Sequence, residues 1–77
     1  MWWYYIKKND GPDSVVYYYG KETKSVSGEL KYEKKERSYS VMKIANGDTK
    51  KGAEWALQHL VELVKEGFPE TKMVAIG

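Results

Sequence analysis

The chain opens with apolar runs too dense for simple alternation. Trp2-Trp3-Tyr4-Tyr5-Ile6 is followed by two lysines, and Ser14-Val15-Val16-Tyr17-Tyr18-Tyr19 comes after a stretch of turn formers. Aromatic and β-branched residues at this density predict strands, about Trp2–Lys8 and Ser14–Tyr19. Between them, Asn9-Asp10-Gly11-Pro12-Asp13 supplies the backbone freedom, fixed φ and local capping of a hairpin turn. Gly20-Lys21-Glu22 marks a second turn. From Lys24 to Lys34 the chain alternates, with Val26, Gly28, Leu30 and Tyr32 on one side and Ser27, Glu29, Lys31 and Glu33 on the other. That is a third strand with one dry and one wet face. The charged turn Lys34–Arg37 leads to a fourth strand, Ser38–Ile44.

The period then changes. Ala53, Ala56, Leu57, Leu60, Val61 and Val64 recur at helical spacing, so a helix spans about Lys50–Glu66. Asp48 or Thr49 is its N-cap, Gly67 its left-handed terminator, and Pro69 blocks continuation. Thr71–Ile76 is the last strand. The order ββββαβ predicts one α+β domain over residues 1–77, a mostly antiparallel sheet of about five strands with the helix packed on one face. The helix is long enough to cross the sheet and set the last strand beside the first, giving spatial order 5-1-2-3-4 in preference to a parallel neighbour of strand four.

Seven of the eleven aromatic residues fall in the two N-terminal runs. Side chains alternate across a strand, so these rings must occupy both faces. A hairpin pairing Lys8 with Ser14 groups Trp2, Tyr4, Ile6, Val16 and Tyr18 on one face. Trp3, Tyr5, Lys7, Val15, Tyr17 and Tyr19 take the other. With the aliphatic Ile6 set assigned to the helix alongside Leu30, Tyr32, Met42 and Ile44, the second set is left outside. Trp3, Tyr5, Tyr17 and Tyr19 then form an exposed aromatic patch beside a charged half carrying Glu29, Lys31, Glu33 and Lys43. Such a patch predicts an interface, with a second copy or a protein partner as the favoured occupant. The alternative is a single-stranded nucleic acid, its bases on the same rings and its phosphates on Lys7, Lys31 and Lys43.

Charge adds little to that alternative. Thirteen basic residues face eleven acidic ones, and Arg37 is the only arginine, which is sparse for a nucleic-acid binder. The absence of cysteine removes disulfides and thiolate zinc sites. With no leader-like or membrane-spanning run, a cytoplasmic setting is the expectation. The single histidine, His59, has Glu62 one turn on, but two ligands do not make a metal site. Lys50 and Lys51 in the first helical turn oppose the macrodipole, though Asp48 already supplies an anion there. No serine sits in a nucleophile elbow, and the carboxylates alternate with lysines as on a solvated face. Neither catalysis nor a cofactor is expected. Trp55 points away from the helical stripe and is a possible second contact.

Overall fold

In a computed structural model of the chain, which describes residues 2–21 and 26–75, the two aromatic runs lie side by side in the middle of one sheet. The strands are β1 (Trp2–Asp10), β2 (Ser14–Gly20), β3 (Gly28–Glu33), β4 (Ser38–Lys43) and β5 (Thr71–Ala75), with the helix α1 (Lys50–Lys65) between β4 and β5. Their spatial order is β4-β3-β2-β1-β5, and every neighbouring pair is antiparallel. The α+β layout and the strand order are those expected from the pattern. The predicted start of the third strand, Lys24–Ser25, lies outside the described residues, as does Ile76 at the end of the last.

The first hairpin is tighter than a Lys8–Ser14 pairing implies. Asp10 stands opposite Val15 and Ile6 opposite Tyr18, with a bulge at Lys8 between Lys7 and Asn9. The Gly11 N–H closes the turn on the Ser14 carbonyl at 2.9 Å. Up to Lys7 the register differs from the expected one by two residues, which keeps the side chains before the bulge on their predicted side. The two sets of rings are therefore as read from the sequence. The helix covers the other one.

Trp3 is 2% exposed, and Tyr5, Tyr17 and Tyr19 are 0% exposed, packed with Val15, Leu30, Tyr32 and Val74 under Ala53, Ala56, Leu60 and Leu63 of α1. Volume explains the choice. The helix offers two alanines at its contact stripe, which leaves room for an indole and three phenols. Rings of this size fill the space beneath so small a stripe. Leu30 and Tyr32 stay on the helix side, paired with Tyr17 and Val15. On β4 the assignment inverts. Val41 and Tyr39, opposite Leu30 and Tyr32, pack against the core. Met42 sits at a bulge, and it and Ile44 are 55% and 40% exposed rather than buried.

The helix begins as its sequence dictates. Thr49 is the N-cap, its Oγ1 accepting from the Gly52 N–H at 3.1 Å. At the far end Gly67 adopts φ +83°, and the Phe68 N–H returns to the Leu63 carbonyl at 3.0 Å. That closure satisfies a carbonyl the helix would otherwise leave open. No helix of the described residues is long and apolar enough to cross a membrane.

Candidate functional site

Burying a tyrosine requires a partner for its hydroxyl. Each core tyrosine of the first two strands has one. Tyr5 donates to the Ala56 carbonyl at 2.7 Å and Tyr17 to the Pro69 carbonyl at 2.6 Å. The Tyr19 hydroxyl accepts from the Ala45 N–H at 3.1 Å and lies 3.5 Å from the Asp48 carboxylate. Burial raises the pKa of all three phenols, with nearby carboxylates adding to the rise. Tyr5 and Tyr17 meet edge to face with ring centroids 6.5 Å apart, and Trp3 tilts against Tyr19 at 5.8 Å. These four residues are brought together, but as the floor of the core and not as a surface. The expected exposed patch of Trp3, Tyr5, Tyr17 and Tyr19 is corrected accordingly: the three tyrosine hydroxyls find partners inside the fold, while the buried Trp3 Nε1 has none among the described residues.

The face left without cover is the opposite one. Facing outward in cross-strand rows are Met73 and Tyr4; Thr71, Ile6, Tyr18, Glu29 and Lys43; then Val16, Lys31 and Ser40. Tyr4, Ile6, Val16 and Tyr18 are half-buried by one another, and Met73 is 48% exposed. Gly20 stands opposite Tyr4, so the apolar row ends in a dent beside the ring. Lys8, at the bulge, lies 5.3 Å from the Tyr18 ring centre and 2.9 Å from Glu29 Oε1. That hydrogen bond to Glu29 holds the Lys8 ammonium above the ordinary lysine value. Lys31 pairs with Glu33 at 2.8 Å. The open face is thus apolar over β5, β1 and β2 and charged, with alternating sign, over β3 and β4.

The three lysines proposed for phosphates do not share a face. Lys31 and Lys43 lie outside, whereas Lys7 stands opposite Tyr17 on the helix side and is held between Asp10 and Glu70, each at 3.4 Å. The sequence reading missed this because the side of Lys7 follows that of Tyr17, which was placed outside. Trp55 is 48% exposed on the helix, as its position off the stripe implies. His59 Nδ1 is 3.8 Å from Glu62 Oε2, and among the described residues no group of three potential ligands gathers anywhere.

The sequence reading also failed to nominate Tyr4, Ile6, Val16, Tyr18 and Met73 as surface residues. The available signal was the pair of alanines on the helical stripe, which called for large partners below. No protein-family model, no characterised protein and no solved structure matches this chain.

Proposed function

We propose that this protein is a small interaction module that self-associates through the open face of its sheet. The observation that carries the reading is the cluster Tyr4, Ile6, Val16, Tyr18 and Met73, which, among the described residues, lies uncovered on the side of the sheet away from α1. Residues of this type give contact area at low cost in side-chain entropy.

Charge selects the occupant. Lys8, Lys31 and Lys43 on this face stand among Glu29 and Glu33, and two of the three lysines are already paired with those carboxylates. A nucleic-acid backbone would meet two carboxylates and no arginine. A second copy turned about a twofold axis through the apolar half meets the same near-neutral surface. The sheet is about 24 Å across five strands and about 17 Å along them, a planar footprint of about 400 Å². That is small beside the roughly 800 Å² per partner of a standard interface, so the association is a weak one.

Sedimentation equilibrium over about 10 μM to 1 mM tests this. The wild-type mass should rise from monomer toward dimer, with little dependence on added salt. Ile6→Lys and Met73→Lys should hold the protein monomeric throughout while the helical circular dichroism stays unchanged. A wild-type chain that is monomeric at the top concentration removes the reading.

A further inference from the structure

The sheet has a second unfinished feature, independent of its open face. Among the described residues β4 is hydrogen-bonded on one side only, to β3. Its free edge borders an open cleft of about 520 Å³ between β4 and the N-terminal half of α1. Val41 and Tyr39 form the sheet side of this cleft, Ala53 and Leu57 the helix side, and Ile44 its end. The edge carries few of the usual guards. It has no proline, and Ser38-Tyr39-Ser40-Val41-Met42 carries no charge. The bulge at Met42 limits regular pairing to the stretch before it.

We propose that this cleft receives an extended, acidic segment of a partner protein, added as a sixth strand along Ser38–Val41. A row of unpaired backbone donors and acceptors is satisfied by another extended backbone and by little else, which fixes the conformation of the occupant. Alternate side chains of an added strand would fall on the cleft side, against Val41 and Leu57, so those positions are apolar. The rim sets the charge. Lys43, Lys50 and Glu54 border the cleft, all three exposed, which leaves the rim net positive, and among the described residues neither lysine has a carboxylate within ion-pair distance. Two copies of β4 paired antiparallel along Ser38–Val41 would bring two net-positive rims together, with an Arg37 at the start of each strand. That repulsion disfavours a second copy here and favours a different chain bearing Glu or Asp.

The test is a nuclear magnetic resonance titration of the full chain with a short synthetic peptide that alternates Val with Glu. Amide shifts should change over Ser38–Lys43 and Ala53–Leu57, and the same peptide with Lys in place of Glu should bind at least about tenfold more weakly. The doubly reversed variant Lys43→Glu, Lys50→Glu should reverse that preference while keeping its circular dichroism. Equal affinity for the two peptides overturns the proposal, as do no shifts at millimolar peptide or shifts confined to Tyr4, Ile6 and Tyr18. Contacts between labelled and unlabelled copies along β4 would assign the edge to a second copy and overturn it too. The mass of the protein, read separately, tells a failure here from a failure of self-association.

Discussion

Tyr5 shows how a phenol becomes a core residue. Its ring lies under the helix and its hydroxyl is fixed on the Ala56 carbonyl. Tyr5→Phe keeps the ring and loses that bond, so it should cost about 0.5–1.5 kcal/mol in chemical denaturation. The buried phenols also set an alkaline limit. Tyr5, Tyr17 and Tyr19 have pKa values raised above the ordinary 10 by burial, so the folded state holds protons that the unfolded chain releases. Their contribution is complete below pH about 10 and is lost as the pH rises above it. Stability should fall there as pH rises, read as a falling denaturation midpoint. Acid should leave this term untouched. Gly28 is a third case. A methyl group there would lie 2.0 Å from Cε1 of Tyr19, whose ring covers the glycine and is pinned by its hydroxyl. Gly28→Ala should therefore destabilise by about 1–3 kcal/mol, toward the upper end because the ring has no free direction to move.

The helix is the element most completely written in the sequence. Its stripe, its Thr49 cap and its stop at Gly67 all appear in the structure. Gly67→Ala should cost about 1 kcal/mol, since a side chain at φ +83° is strained and nothing else closes that end in the same way. The helix sits turned from the simplest reading: Leu63 is buried, while Leu57, Val61 and Val64 are half-buried along its flank. The strands were legible in number and order, and β1 and β2 were legible in the division of their side chains between two faces. What alternation does not encode is which face is which. Exchanging inside for outside leaves a period of two unchanged, so the choice falls to volume and to acceptors on another element. Ala53 and Ala56 carried the first kind of information, because small helical residues call for large partners. The carbonyls of Ala56 and Pro69 carried the second, and no sequence pattern reveals them. The β4 assignment failed for a different reason. A strand phased on Met42 and Ile44 is out of step with Tyr39 and Val41, because the bulge at Met42 adds one residue between them and Lys43; Tyr39 and Val41 turn to the helix side and Lys43 stays outward.

As a whole molecule, the chain has one layer too few. The sheet has two faces, and among the described residues α1 closes one. Residues 3–5 bring rings to both, with Trp3 and Tyr5 in the central layer and Tyr4 on the open face. This shape favours weak pairing of two sheets back to back, with helices outward. The most informative measurement is a set of isotope-filtered nuclear Overhauser contacts in a mixture of labelled and unlabelled protein at about 1 mM, within the weak-affinity range. The expected result is contacts between copies that involve Tyr4, Ile6, Tyr18 and Met73. Contacts between copies that avoid these four, or none at all at that concentration, would contradict the account.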